Sequence, residues 1–386
     1  MPNFDLIAAT TFGLEAVVAR ELEQLGHAER TVEDGRVIFP GDAAAVCRAN
    51  LRLRCADRVL IRIGEFPARD FGELFDRTRE LPWEEWIPLE GEFPVRGRSA
   101  RSQLHNVPSC QSIVKKAIVE RLRAAHGAQW FAETGSLFGI EVALKKDVAT
   151  LTLDTSGPGL HKRGYRTLVG AAPLKETRAA GLIQLSYWNR DRILLDPFCG
   201  SGTIPIEAAF IARNRAPGLN RTFAAEGWRQ FPAELWKQAR DECRDLERPL
   251  GTGEIRGSDR DSRALELARQ HAAAAGVADD IRFERAEFQS LDITGEYGCL
   301  IANPPYGERI GEQDETERLY RDMGRILGQL ATWSIYVLTS HPAFEKLYGR
   351  RADRRRKLYN GRIECTYHQY QGPRPPRPIE EVASVE

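Results

Sequence analysis

Two stretches of this chain combine residue types that suit chemistry better than packing. The first is Asp196-Pro197-Phe198-Cys199-Gly200-Ser201-Gly202-Thr203. It follows a short apolar run, Arg192-Ile193-Leu194-Leu195, and precedes an alanine-rich one at 204–212. The pattern reads as strand, glycine turn, helix, the first unit of a nucleotide-binding α/β sheet. Gly200 and Gly202 let the backbone turn tightly and approach a ligand closely. The stretch lacks the third glycine of a dinucleotide fingerprint and the Gly-Lys-Ser/Thr of a phosphate loop. A carboxylate ahead of the glycines repels a pyrophosphate. It suits S-adenosylmethionine (SAM), which carries a sulfonium, an ammonium and no phosphate.

The second stretch is Asn303-Pro304-Pro305-Tyr306-Gly307, at the end of the apolar run Cys299-Leu300-Ile301-Ala302. Two prolines remove backbone donors and leave carbonyls exposed at a strand end. In this order, Asp-Pro-x-Cys-Gly-Ser-Gly-Thr and Asn-Pro-Pro-Tyr resemble the two signatures of class I methyltransferases that modify exocyclic amines on nucleic-acid bases. The reaction this implies is SAM-dependent methyl transfer to a base nitrogen. Such an amine is a poor nucleophile, because its lone pair is delocalised into the ring. The Asn303 side-chain oxygen and the Pro304 carbonyl would accept its two N–H bonds and aim the lone pair at the methyl. That requires preorganised acceptors rather than a strong base, with nitrogen and methyl held in line. Tyr306 would stack on the target base, which must then be unpaired or flipped. Asn303, Pro304 and Tyr306 are the expected catalytic residues, and adenine and guanine stay open on this motif alone.

Composition sets outer bounds. The 386 residues suffice for two or three domains, and 55 Lys+Arg balance 55 Asp+Glu. Bulk charge therefore announces no nucleic-acid partner. The cations are mostly arginine, which binds phosphate bidentately and stacks on bases; a GC-rich genome or a heat-adapted host gives the same bias. Seven cysteines, odd in number and never spaced C-x-x-C, argue against a disulfide framework and a zinc site. A reduced cytoplasm is expected. No signal peptide or run of membrane-span length is evident. No metal and a monomeric state are expected.

The elements that must position these motifs follow in order. Residues 3–9 read as a strand, 13–25 as a helix with Leu14, Val17, Val18, Leu22 and Leu25 on one face, and Gly26 as its stop. A hairpin surrounds Asp34-Gly35, a helix spans 42–50 and a strand 59–63. That βαββαβ order is ferredoxin-like. A helix at 70–79, a strand from 93, a loop near 99–102, an amphipathic helix at 110–125 and strands at 141–144 and 149–154 follow. Segment 65–155 resembles a THUMP domain, an RNA-binding module. It carries Arg96, Arg98, Arg101, Lys115, Lys116, Arg121 and Arg123. Phosphate contacts by such a patch give affinity and position, not sequence choice. Of these, Arg96, Arg98, Lys115 and Lys116 are the expected RNA contacts, against a solvated charged face.

Residues 157–166 form a linker whose Lys162, Arg163, Tyr165 and Arg166 offer cations and a stacking surface for RNA. It resembles the junction of THUMP-containing rRNA guanine methyltransferases; an ordinary basic linker packed on the catalytic domain is the alternative. A helix starting at 172–177 would, by the resemblance, border the methionine end of the cofactor, so Glu176 or Thr177 either touches SAM or caps the helix. Residues 214–250 form an aromatic, basic insertion that either contacts substrate beside the cofactor edge or, the favoured reading, covers the catalytic sheet. At the end of the second strand Asp259 would accept both ribose hydroxyls, with Asp261 as a helix cap. Glu287 and the Phe288 N–H fit the adenine-binding position, where the family more often has Asp. The expected cofactor set is Asp196, Phe198, Gly200, Gly202, Thr203, Asp259, Glu287, Phe288 and Asn303. The loop continues over 308–311, then a helix at 317–329 and a strand at 334–339 follow. The basic run 350–357, an RNA contact or a solvated surface, leads into an Asn360-Gly361 hairpin suited to an antiparallel last strand.

Nearly the whole chain resembles the RlmL-like family of 23S rRNA N2-guanine methyltransferases, without the second methyltransferase of the RlmL-type fusion. The resemblance implies an α/β protein: a ferredoxin-like domain (1–64), a THUMP-like domain (65–155), a linker (156–172), a Rossmann-like class I methyltransferase domain with a seven-stranded mixed sheet (173–371) and a loose tail (372–386). It implies methylation of guanine in structured RNA, N2 in 23S rRNA first, with tRNA N2-guanine and rRNA N7-guanine as alternatives. N7 carries its own lone pair and would not need the amine argument. A DNA adenine enzyme would carry a target-recognition domain, and nothing here resembles one. A SAM fold without activity, serving RNA binding or ribosome assembly, is the non-enzymatic alternative.

Overall fold

A run of buried residues along β1 (Phe4–Thr10), Leu6, Ile7 and Ala8, and a one-sided apolar stripe on α1 (Glu15–Gln24) start the first sheet and its covering layer. The computed structural model describes residues 3–166, 174–307, 313–361 and 363–376. It divides into two compact units. One comprises Met1–Thr167, Glu176–Gly181 and Asn214–Arg248, the other Leu168–Lys175, Leu182–Arg213 and Pro249–Glu386.

In the first unit, β2 (Thr31–Glu33) and β3 (Arg36–Gly41) form the hairpin around Gly35, whose φ of 75° demands glycine. The Asp42 side chain caps α2 (Ala43–Arg52) by accepting from the Ala45 N–H, and β4 (Ala56–Pro67) completes the ferredoxin-like order. Asp70 likewise caps α3 (Phe71–Glu80) and Asn106 caps α4 (Val107–His126). β5 (Val95–Ala100), β6 (Gly139–Lys145) and β7 (Val148–Asp154) make the THUMP-like strands. The 99–102 loop expected from sequence is strand as far as Ala100. The strands do not form two sheets. They form one, in the order β2-β3-β1-β4-β7-β6-β5. β4 is the seam: it pairs with β1 (Leu6↔Ile61) and runs on past residue 63 to pair with β7 as far as Pro67↔Val148.

α5 (Glu176–Gln184) passes from the first unit to the second after Gly181. The strands of the second unit are β8 (Leu194–Asp196), β9 (Ile255–Asp259), β10 (Ile281–Arg285), β11 (Cys299–Ala302), β12 (Ser334–Thr339), β13 (Arg354–Asn360) and β14 (Ile363–Tyr370). Helices α6 (Thr203–Ala212), α8 (Ser262–Ala275), α9 (Gln313–Leu327) and α10 (Phe344–Tyr348) belong to the same unit. The sheet order is β10-β9-β8-β11-β12-β14-β13, with β14 antiparallel to β12. All of β11 and β12 is buried, as strands covered on both faces must be. Tyr320, Met323 and Leu327 of α9 join Leu300, Ile335 and Val337 in one apolar cluster. The strand order reverses between β8 and β11, which lie side by side and parallel (Leu300↔Leu195). Ligands of such sheets bind at that reversal, outside the carboxyl ends of the strands.

The insertion corrects the sequence reading. Residues 214–248 belong to the first unit, not to the unit that holds the second sheet. α7 (Ala233–Asp245) buries Trp236, Ala239 and Cys243, and Glu242 takes Arg48 of α2 bidentately at 2.7 and 2.6 Å. Trp228 stacks on Phe138 with centroids 4.7 Å apart, and its indole N–H donates to the Leu137 carbonyl at 2.9 Å. The apolar faces were readable in sequence; the surface they would cover was not.

Candidate active site

The glycine turn is built from bonds that leave one side open. The Cys199 N–H donates to the Ser258 carbonyl at 2.9 Å, tying the turn to β9. The Gly200 N–H donates to Asp259 Oδ2 at 2.9 Å, and the Phe198 N–H to Asp196 Oδ1 at 3.1 Å. Gly200 and Gly202 have φ of 51° and 82°. A Cβ on Gly202 would sit 3.0 Å from the Ala268 Cβ and 3.1 Å from the Phe283 ring, whereas one on Gly200 would enter open space. Gly202 thus serves the packing of the sheet and α8, and Gly200 keeps a floor clear. Thr203 opens α6 and is buried.

Asp196 is buried, and that burial, with Asp259 adding to it, pushes its carboxyl well above the ordinary range. Among the described residues neither carboxylate has a cationic partner. A bound cation would supply one, so the pair fits the ammonium or sulfonium of SAM. Asp259 accepts from two backbone N–H groups, those of Gly200 and Asp261, the latter at 2.9 Å, which fixes the carboxylate at the end of β9. Asp261 itself caps α8 through the Arg263 N–H. Phe198 and Phe288 stack with centroids 5.3 Å apart, while the Glu287 side chain is exposed beside them in sequence.

Asn303 follows β11, the strand beside β8, so its loop and the glycine turn leave neighbouring strand ends. The geometry differs from the sequence picture in one respect. The Tyr306 hydroxyl donates to Asn303 Oδ1 at 2.5 Å, the acceptor expected to face the target amine. Asn360, at the tip of the β13–β14 hairpin, donates to the same hydroxyl at 3.5 Å. The Tyr320 hydroxyl donates to the Pro305 carbonyl at 2.7 Å and meets Thr339. Sequence reasoning missed Asn360, Tyr320 and Thr339. Asn360 carried only a turn signal, and the other two sat in a helix and a strand with no motif. Residues 308–311 of the loop lie outside the described residues.

The expected RNA contacts divide by environment. Arg96, Lys116 and Lys162 are exposed. Arg98 is exposed and pairs with Glu141 at 3.0 Å. Lys115 is committed elsewhere: it binds both oxygens of Glu133 at 2.7 and 2.8 Å and the Phe93 carbonyl at 3.0 Å. Arg163 is buried and donates to the carbonyls of Leu160 and Arg54 at 2.8 and 2.6 Å. Tyr165 is 1% exposed, so it cannot stack on a base. Arg166 pairs with buried Glu176 at 3.1 Å. Thr177 donates to Asp57 at 2.9 Å. The linker residues Arg163, Tyr165 and Arg166 therefore build the first unit rather than an RNA surface, and Glu176 and Thr177 are held there with them. From the insertion, Arg221 donates to the carbonyls of Ser156, Pro158, Gly159 and Lys162. The basic run survives as the exposed start of β13, where Lys357 pairs with Glu364 at 2.6 Å.

A family profile described as an RMKL-like methyltransferase domain matches residues 163–369, more than half of the chain. The chain belongs to this methyltransferase family. The ferredoxin-like domain of RlmL matches residues 5–60 and the THUMP domain residues 68–154. Among curated relatives, YpsC of Bacillus subtilis (strain 168), named as a candidate RNA methyltransferase, is 48% identical over 96% of both chains. Ribosomal RNA large subunit methyltransferase K/L of Syntrophotalea carbinolica is 37% identical over 92% of this chain, which spans 51% of that protein. A Listeria monocytogenes structure described as a candidate N6-adenine-specific DNA methylase is 49% identical, covers 97% of each chain and has a TM-score of 0.90. SMU.472, described as a candidate methyltransferase complexed with S-adenosylhomocysteine, is 43% identical, with 97% and 100% coverage and a TM-score of 0.90. The cofactor is S-adenosylmethionine. Among the described residues, no helix is long and apolar enough to cross a membrane.

Proposed function

We propose that this protein methylates the exocyclic N2 amine of a guanine in structured RNA, with 23S rRNA the first substrate to test. The observation that carries the reading is the Asn-Pro-Pro-Tyr loop leaving β11 beside the acidic glycine turn of β8. The THUMP match, with the rRNA and RNA methyltransferase names of the relatives, supports RNA as the substrate. When bound, the cofactor supplies an electrophilic methyl group. Asp259 accepts the ribose hydroxyls, and Asp196 neutralises the ammonium. Phe198 and Phe288 with Glu287 frame the adenine, and Gly200, Gly202 and Thr203 shape the floor beneath. Asn303 Oδ1 and the Pro304 carbonyl accept the two N–H bonds of the target amine and hold its lone pair in line. For this the Tyr306 hydroxyl must yield the Asn303 oxygen, freeing the ring to stack on the incoming base. Arg96, Arg98, Lys116 and Lys162 contact phosphate.

The test is methyl transfer from labelled SAM to unmodified 23S rRNA, tRNA and duplex DNA, with the product nucleoside identified by mass spectrometry. N2-methylguanosine in rRNA supports the reading, and the same product in tRNA moves only the substrate. N7-methylguanosine would overturn the amine mechanism. N6-methyladenine in DNA, the activity in the Listeria protein's description, would overturn the RNA reading. SAM binding without transfer to any of them would point to an assembly intermediate or a binding role.

A further inference from the structure

The Asn-Pro-Pro-Tyr loop has little regular structure to hold it. β11 stops at Ala302, and Pro304 and Pro305 have no N–H with which to anchor themselves. At Pro305 the anchoring comes from two residues outside the motif, Tyr320 and Thr339. The Tyr320 hydroxyl lies 2.7 Å from the Pro305 carbonyl and 2.9 Å from Thr339 Oγ1, and the Tyr320 side chain is fully buried. A carbonyl only accepts, so the single phenol proton goes to Pro305 and Thr339 must donate its own to the phenol oxygen. Thr339 Oγ1 in turn accepts from the His341 N–H at 3.0 Å. The bonds all run one way, from the His341 amide through Thr339 and Tyr320 to the loop. Burial pushes the Tyr320 hydroxyl up to about 12, so it remains a donor at neutral pH. Phe344 and His341 meet the ring edge-on at 4.9 and 5.6 Å and fix its direction. Gly307, which follows Tyr306, has φ of 73° and lies so close to α9 that an added Cβ would be 3.0 Å from Thr316 Oγ1.

We propose that Tyr320, with Thr339 behind it, is a positioning residue of the transfer reaction. By taking the Pro305 carbonyl it removes that oxygen from competition for the target amine. Through the stiff Pro304-Pro305 pair it also holds the Pro304 carbonyl and Asn303 at one spacing. The inference rests on the roles assigned to Asn303 and Pro304 above. Tyr320→Phe deletes one oxygen and keeps the ring. Its kcat at saturating RNA and SAM falls about ten-fold or more, with KM for RNA, SAM affinity by calorimetry and Tm little changed. Thr339→Val loses the same relay and follows it, whereas Thr339→Ser keeps a donor and keeps turnover. A packing role alone moves Tm and SAM affinity together and shows no difference between Val and Ser beyond stability. Wild-type kcat in Tyr320→Phe overturns the inference. If that variant does not fold, Val against Ser at Thr339 decides the question. Absence of transfer by the wild-type protein would instead overturn the underlying reading of the site.

Discussion

At Asn303 one oxygen is asked to serve two partners, the Tyr306 hydroxyl and, in the proposed reaction, the target amine. Asn303→Ala is expected to abolish turnover and leave SAM affinity within a few-fold; wild-type turnover would show that the acceptor role is wrong. Asp259→Ala is expected to do the reverse, weakening SAM by roughly 1–3 kcal/mol through lost hydroxyl contacts, as calorimetry would read it. Asp196 adds a pH dependence. Its carboxyl in the folded protein titrates above its ordinary value because it is buried near Asp259. Folding therefore favours the protonated form, and the cost of the charged form grows as pH rises from the ordinary value of about 3.9 toward the raised one. Asp196→Asn keeps an acceptor for the Phe198 N–H and removes that cost. Thermal melts without cofactor are expected to show the variant gaining on wild type as pH increases, while its SAM affinity falls. A wild-type advantage that widens with pH would contradict this.

The turn between β8 and α6 separates stability from binding at neighbouring glycines. Gly202→Ala forces a side chain into a left-handed conformation against Ala268 and Phe283. It is expected to cost of order 1–3 kcal/mol in urea unfolding. Gly200→Ala carries left-handed strain too, at φ 51°, but meets nothing within 4 Å; it should cost less stability than Gly202→Ala and lose more in SAM affinity than in stability. An equal effect of both on unfolding would reject the distinction. In the other unit, Arg221 ties the segment after β7 through four carbonyls. Arg221→Ala leaves these without that donor and is expected to cost about 1–3 kcal/mol, read as a lower Tm. The motif-bearing turns and the helix caps at Asp42, Asp70 and Asn106 are legible in the sequence, since each is set by residues a few positions apart.

The longest-range feature is the division into units. The ferredoxin-like match ends at residue 60 and the THUMP match begins at 68, yet their strands share one sheet through β4, which spans the gap. A segment from between α6 and β9 packs with that sheet's unit. A chain truncated after residue 167 would lose α7 from α2 and Trp228 from Phe138. It is expected to unfold at lower urea than intact protein and to bind hydrophobic dyes, and supplying 214–248 through a linker should recover part of the loss, the rest belonging to Glu176–Gly181. Equal urea midpoints would show that the insertion is dispensable there.

The sequence by itself determined the local matters: the strand-turn-helix with its acidic lead, the place of Asn-Pro-Pro-Tyr at a strand end, the hairpins at Asp34-Gly35 and Asn360-Gly361, and the family. These follow from side-chain type and short spacing, which act over a turn or two of chain. Only the tertiary structure decided that Tyr165 and Arg163 are interior, that Lys115 answers Glu133, and that Asn360, Tyr320 and Thr339 reach the Asn-Pro-Pro-Tyr loop. An arginine or tyrosine in a linker has the same local preference whether it meets phosphate or a buried carbonyl. Which one it meets is set by surfaces brought together from far along the chain, and no spacing rule encodes that.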